Sequence, residues 1–570
     1  MPGHILSSLI GFIACVSPVF ANRRLFLEQI DNTTWTFGND LWNVTQGAVY
    51  ASKLYFRGSE LVGSAAGHYM GYDGENNFVW TSAAITSQGK DYIDVGFSCE
   101  EGELHWVIFD GLAGAYQYFI NRALPDLSIL RTLWRLDPKL LLNGRTYLRD
   151  EPLPDFGLYQ NATKVQDETW QLANGSFITK YDFSDYVRER DFYGIYGPNV
   201  GSWYIHPGTD YYISDHLSQT LTVCTSRVCH GDSVQLNVVQ DTSHFRVGEK
   251  VAQPAGKIWG PWLWYLNDGA VEDAKRQANN ELAKWPYPWL MDPAYQSRGG
   301  VTGQLTLSDG RPASGAAVFF GDTDTTRRPS VQGRDYYYTT QADHEGRFTL
   351  ENVRSGTYGL YAWSNGGALA DVYTNFSKSS INIAVGSTTN LSSLTWTVPD
   401  QGKRLFTIGD FDKKALGFRN GGPPYQHGVS DRSPANLTFT VGTSEVSDWY
   451  YAQSLVGTWT VEFDLAQEAL LLGAGGNGSA TLSLSFAGYS QSTAMDVTIN
   501  GQIIGSLGKD IFSSDPSLYR SGKTSGEWRF VQYRIPRAIL KEDVNTLGFT
   551  VTRYTQWRGF MWDSIMLEWK

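Results

Sequence analysis

Between Asn22 and about Leu290, apolar and polar residues alternate over short segments set apart by Gly, Asn and Asp. That is the period-two pattern of antiparallel strands. Leu127–Asp137 (LSILRTLWRLD) shows it well: Leu130, Thr132, Trp134 and Leu136 fall on one face, Arg131, Leu133 and Arg135 on the other. Val271–Lys284 (VEDAKRQANNELAK) departs from it. This stretch is charged, rich in Ala and free of Gly and Pro, so it predicts a helix, stopped by Trp285-Pro286-Tyr287-Pro288. The proline-rich run through Pro293 then marks a domain boundary. A second unit follows from Gly299 to about Pro399, where Val301–Leu307 alternates cleanly and Asp309-Gly310 makes a turn. Its size and strand pattern suggest an immunoglobulin-like or fibronectin-like sandwich. From about Gln401 to Lys570 strands continue, with Leu482–Phe486 and Asp496–Gly501 as jelly-roll signals.

Composition bears this out at the level of class. With 570 residues the chain exceeds one compact core, and 14% aromatic residues beside 59 Gly argue against disorder, coiled coil and collagen. The net charge of −12 speaks against broad nucleic-acid binding. Ile5–Val16 followed by Val19-Phe20-Ala21 reads as a secretory signal cleaved before Asn22, and no other stretch has the length of a membrane span. Eight N-x-Ser/Thr sequons, at Asn32, Asn43, Asn161, Asn174, Asn375, Asn390, Asn436 and Asn477, fit export and glycosylation. Of the cysteines beyond the signal, Cys224 and Cys229 are close enough in sequence to form a disulfide, which would leave Cys99 free. The predicted parts are therefore a signal at 1–21, a large β-sandwich at 22–295, a small sandwich at 296–400 and a jelly roll at 401–570.

Motifs for serine hydrolases, zincins and nucleotide sites are absent from the sequence. Basic residues in strands stand out instead. Arg131 and Arg135 would project in parallel from one strand face, about 7 Å apart per two-residue step, and guanidinium groups suit carboxylates and sugar rings. An ordinary solvated strand face has the same pattern. Lys180 sits among aromatics in Phe177–Phe183. Partial burial beside arginine would lower its pKa and make it a usable base, although lone strand lysines are more often surface residues. Val234–Arg246 is a strand running into a loop that carries His244, with His206, His216 and His230 as competitors. Gly260–Tyr265 offers aromatics for sugar faces or for the core.

In order and spacing, LRTLWRL (Leu130–Leu136), TKYDFS (Thr179–Ser184), RDFYGIYG (Arg190–Gly197), DTSHF (Asp241–Phe245), GPWLWY (Gly260–Tyr265), FTIGDFD with GFRNG (Phe406–Gly421) and WDSIMLEW (Trp562–Trp569) resemble the fungal rhamnogalacturonan lyases of polysaccharide lyase family four, in their longer B form. The resemblance spans about Ser52 to Lys570. It implies a mainly β, multidomain fold: a galactose-mutarotase-like β-sandwich, a fibronectin-III-like domain and a carbohydrate-binding-module-like jelly roll. It implies endo-acting β-elimination on rhamnogalacturonan I, with Lys180 and His244 as the catalytic pair and Arg131 and Arg135 as substrate arginines. Lys180 would take the C5 proton of galacturonate and His244 protonate the leaving oxygen, or the reverse. No metal ligands and no catalytic cofactor are implied, and a secreted monomer without nucleic-acid or membrane partners is expected. Asn237 and Val239 stand where short fungal members carry tyrosines. A glycoside hydrolase on the same polymer, or a carbohydrate-binding protein without catalysis, are the alternatives.

Overall fold

The computed structural model describes residues 24–569 except 75, 214–216, 225–230, 400–401, 423–425, 466–477, 509 and 513–514. The expected signal segment and Cys229 fall outside these residues. Cys224 is disulfide-bonded, and Cys99 is free and buried.

Strands dominate, as alternation demands. The first part is a sandwich of an 11-stranded and a 9-stranded sheet. In the middle of the first sheet, Ile129–Leu136 lies between Gly67–Tyr72 and Ser233–Asp241 and pairs antiparallel with both. Its Leu130, Thr132, Trp134 and Leu136 are buried, whereas Arg131 and Arg135 on the other face keep partial exposure. Leu133, on that same face, is buried against Val234, Leu236 and Val238, so the face is half apolar. The second sheet supplies Trp106 from Gly102–Phe109 and Trp264 from Ile258–Asn267. Trp134 stacks on Trp264 at 4.9 Å and meets Trp106 edge-on at 6.2 Å, so one indole from the first sheet and two from the second lock the layers together.

The helix Val271–Lys284 forms where the sequence predicts it. It lies on the outer face of the second sheet, burying Ala274 and Glu281. Glu281 accepts from the hydroxyls of Tyr116 (2.9 Å) and Tyr287 (2.6 Å), which satisfies a carboxylate that burial would otherwise make costly. The chain leaves the helix at Trp285 with an extended backbone, the conformation favoured before a proline.

The middle unit is a seven-stranded sandwich. Arg298–Leu307 is flanked by Arg347–Arg354 and Thr388–Trp396, opposite a sheet of four. Its parallel pairing of Arg298–Leu307 with Thr388–Trp396 interrupts an otherwise antiparallel pattern. Two five-stranded sheets make the jelly roll, around a core containing Trp449, Trp459 and Trp562. Asp210 ties the middle unit to the large sandwich through buried pairs with Arg354 (2.9 Å) and Arg298 (3.2 Å). Six of the sequon asparagines, at 32, 161, 174, 375, 390 and 436, are exposed; Asn43 is half-buried and Asn477 lies outside the described residues.

Trp264→Ala removes the indole that both Trp106 and Trp134 touch. It is expected to cost about 3–5 kcal/mol, read as a lowered unfolding midpoint of the large sandwich. An unchanged midpoint would mean the layers are not held by this cluster.

Candidate functional site

The strand Phe177–Thr179 belongs to a small three-stranded sheet with Thr163–Gln166 and Thr169–Gln171. It stops at Thr179, and Lys180 lies in the turn that follows and not, as its aromatic neighbours suggest, in a strand. Local hydrogen bonds explain the turn. The Asp182 carboxylate accepts from Thr179 N–H (3.0 Å), and the Thr179 hydroxyl donates to the Glu168 carbonyl (2.8 Å). From the sheet below, the Gln219 amide donates to the Lys180 carbonyl at 3.0 Å. The Lys180 backbone is thus fixed while its side chain turns over the Tyr181 ring, with Nζ 5.3 Å from the ring centre.

His244 follows the strand Ser233–Asp241, on the loop the sequence predicts. Asp241 ends the strand and shapes the loop by accepting from the backbone N–H groups of Ser243 (2.8 Å) and His244 (3.2 Å). Its second oxygen lies 3.1 Å from His244 Nδ1. That contact orients the imidazole and leaves Nε2 as the atom available for chemistry. His206 is buried in the sandwich with its ring stacked on Tyr193, which removes it as a competitor, and His216 and His230 lie outside the described residues.

The two turns meet. Lys180 and His244 line one cavity of about 410 Å³ together with Ile129, Tyr181, Arg246 and Arg520. Its far wall, including Asp515, Pro516, Tyr519 and Arg520, belongs to the jelly roll. Arg520 sits over the Tyr181 ring at 5.0 Å, pairs with Asp167 at 2.7 Å and donates to the His244 carbonyl at 2.6 Å.

The arginine pair is placed differently from the expectation, since neither Arg131 nor Arg135 lines this cavity. Arg131 shares a strand face with Ile129 one two-residue step away, and its guanidinium donates to the Gly74 carbonyl. Arg135 lies about 20 Å along the strand from Ile129 and is held by Asp232 at 2.7 Å, with exposures of 15% and 1%. Arg246 and Arg520 are the cavity's arginines. Arg246 is buried two residues beyond His244, inside a segment the sequence already marks. Arg520 is 276 positions from His244 and carries no local signal at all.

Burial is the main cause that lowers the Lys180 pKa below that of a free lysine. Glu168 and Asp167 oppose the shift, and Arg520 and Lys164 assist it. The cations that add to the effect of burial are therefore Arg520 and Lys164. Burial pushes the Asp167 carboxyl up, but Arg520 and Lys180 more than offset this and hold it below the usual range. The Tyr181 hydroxyl is driven upward by burial, against the opposing charge of Arg520, so it stays protonated and donates to Asp167 at 3.2 Å.

This chain is 30% identical to rhamnogalacturonate lyase of Dickeya dadantii, over 93% of both chains. It belongs to polysaccharide lyase family 4. Family models place domain II at residues 308–391 and domain III at 404–567, within the middle sandwich and the jelly roll. A probable rhamnogalacturonate lyase B of Aspergillus niger is 23% identical over 67% of this chain and 62% of its own length. The family resemblance seen in the motifs therefore holds, with higher identity to the bacterial relative than to this fungal B form.

The Arg135–Asp232 pair yields a prediction for this family member. Arg135→Gln removes the cation beside a buried carboxylate and is expected to cost about 3 kcal/mol, lowering the thermal unfolding midpoint. Adding Asp232→Asn should recover much of that loss. A substrate-only role for Arg135 would instead raise KM and leave the midpoint alone.

Proposed function

We propose that the protein is an endo-acting rhamnogalacturonan lyase that cleaves the rhamnose–galacturonate backbone of rhamnogalacturonan I by β-elimination. The observation that carries this reading is the convergence of Lys180, of lowered pKa, and His244, oriented by Asp241, on one cavity walled by Arg246 and Arg520. The C5 hydrogen of galacturonate is acidified by its carboxylate, and removing it builds negative charge on that group. Neutral Lys180 takes the proton, and the Arg246 guanidinium at the cavity wall stabilises the developing enolate. The electron pair then forms the C4=C5 bond as the C4–O bond breaks, and His244 Nε2 delivers a proton to the departing rhamnosyl oxygen. The reverse assignment of the two proton carriers uses the same atoms. In this reading Arg131, one two-residue step from the lining residue Ile129, would meet a neighbouring uronate of a long chain.

Hydrolysis is less well supported. A glycosidase needs two carboxyl groups flanking the bond. The cavity lining has one among the described residues, Asp515, and it is engaged by backbone N–H groups of Tyr489, Ser517 and Glu527. In this reading no cofactor takes part in the chemical step, the polysaccharide is the partner, and the protein acts as a secreted monomer. The N-terminal apolar segment and the exposed sequons support export.

On purified rhamnogalacturonan I, the protein should release fragments with the ultraviolet absorbance of an unsaturated uronate. Fragmentation without that absorbance would overturn the lyase reading, because hydrolysis makes no C=C bond. Lys180→Ala and His244→Ala should each lower kcat by at least ~10²-fold with the fold kept. Near-normal turnover in either removes that residue from the mechanism.

A further inference from the structure

Both carboxylates next to Lys180 already have cations of their own. Glu168 pairs with Lys164 at 3.1 Å, and Asp167 pairs with Arg520 at 2.7 Å. Among the described residues no carboxylate lies within ion-pair distance of Lys180 Nζ. A lysine next to two acids would ordinarily be held as ammonium by them. Here the acids are occupied, and the more consequential partner arrives from another domain.

Arg520 is delivered by a rigid support. Asp515 is fully buried and accepts from the N–H groups of Tyr489 (2.9 Å), Ser517 (2.9 Å) and Glu527 (3.2 Å), and from the Ser517 hydroxyl. The turn that follows closes with the Arg520 N–H donating to the Pro516 carbonyl and the Gly522 N–H to the Ser517 carbonyl. From this turn the guanidinium reaches three groups of the large sandwich at once: the Asp167 carboxylate, the Tyr181 ring and the His244 carbonyl. Guanidinium suits this task because its planar fork can bind a carboxylate on one edge while its face lies on a ring.

We propose that Arg520 is a positioning residue of the elimination site, and that the jelly roll is thereby an obligatory part of the catalytic cavity. By occupying Asp167, Arg520 keeps that carboxylate from capturing Lys180; by binding the His244 carbonyl, it fixes the loop that carries the second proton carrier. The inference rests on the lyase reading for its kinetic consequence, but not for its electrostatic one. The charged and titratable groups around Lys180 are Lys164, Asp167 and Glu168 from the first hairpin of the three-stranded sheet, Tyr181 from its own turn, His244 and Arg246 from the neighbouring loop, and Asp515, Tyr519 and Arg520 from the jelly roll. Arg520 and Asp167 act on Lys180 in opposite directions, and this gives the test its sign.

Arg520→Gln releases Asp167 to pair with Lys180, so the rising limb of kcat against pH should move to higher pH. At a fixed pH on that limb, turnover should fall on the order of tenfold. Asp167→Asn removes a carboxylate while Arg520 stays charged, so the limb should move to lower pH. Arg520→Lys keeps the charge and should bring the limb back toward wild type while kcat at its plateau stays low, because the fork to the His244 carbonyl is lost. A second arm needs no turnover. In protein labelled with carbon-13 lysine, the Lys180 side-chain resonance, assigned by its loss in Lys180→Arg, should titrate higher in Arg520→Gln and lower in Asp167→Asn. If both variants fold, by circular dichroism and an unchanged thermal midpoint, and the Lys180 titration does not move, the proposal is wrong. If the resonances move as stated but wild-type protein fails to cleave rhamnogalacturonan I, the positioning role stands and the lyase reading falls.

Discussion

A lysine can act as a base near neutral pH only if it is taken out of water without being handed to a carboxylate. The arrangement around Lys180 meets both halves of that constraint. Tyr181 and the cavity walls remove water, which disfavours ammonium. The two neighbouring acids are satisfied elsewhere, by Lys164 and Arg520. Neither half is achieved by the large sandwich unaided, because an uncovered turn leaves a long side chain free to reach solvent. The far wall of the cavity comes from the jelly roll, so burial of the base depends on how the units dock.

The docking is correspondingly specific. Beside Arg520, His427 Nε2 lies 2.8 Å from the Asp182 carboxylate, and Asp182 is the residue that shapes the Lys180 turn. Trp557 meets Phe177 edge-on at 4.9 Å, and the Gln166 amide donates to the Gln556 carbonyl. These contacts all fall on the small three-stranded sheet or the turn that ends it. A module attached only to grip polymer could sit anywhere on the surface. This one is fastened to the turn that carries the candidate base. On the other side, Asp210 with Arg298 and Arg354, and Lys257 donating to the Gly333 carbonyl, tie the middle sandwich to the large one through buried polar groups. Buried pairs of this kind give little net stability, but breaking one leaves a charge in a poor solvent, so they fix relative position strongly.

What could be read from the sequence follows what is local. Alternation in Leu130–Leu136 gives the two faces of a central strand, because the side-chain period is a fixed property of extended backbone. The helix Val271–Lys284 is legible for the same reason, in a different period. Lys180 stands out by its aromatic neighbours, and the family resemblance points to both Lys180 and His244. The strand expected through Lys180 was broken by Asp182 folding back onto Thr179, a side-chain bond that competes with sheet pairing. Arg131 and Arg135 look equivalent in the sequence because a strand pattern carries no information on what lies opposite it. The fold sets one beside the cavity and ties the other to Asp232. Arg520 and Asp167 were invisible, since their pairing spans 353 positions and neither belongs to a periodic motif.

The net charge of −12 looks ill matched to a polyanionic substrate. At the cavity, charge is distributed by a different rule. Three of the lining side chains, Lys180, Arg246 and Arg520, are basic, and the acids near them are placed to engage cations or backbone N–H groups. An uronate entering this space meets donors at short range, where a low local dielectric strengthens attraction, while the distant surface acids are screened by salt beyond about 10 Å. The same exclusion of water that lowers the Lys180 pKa would also strengthen the attraction between a basic wall and a carboxylate in the proposed reaction. In the proposed reaction, basicity of the lysine and attraction of the acid would therefore come from one source, the jelly-roll wall that closes the cavity, and the overall charge of the protein would have little say in either.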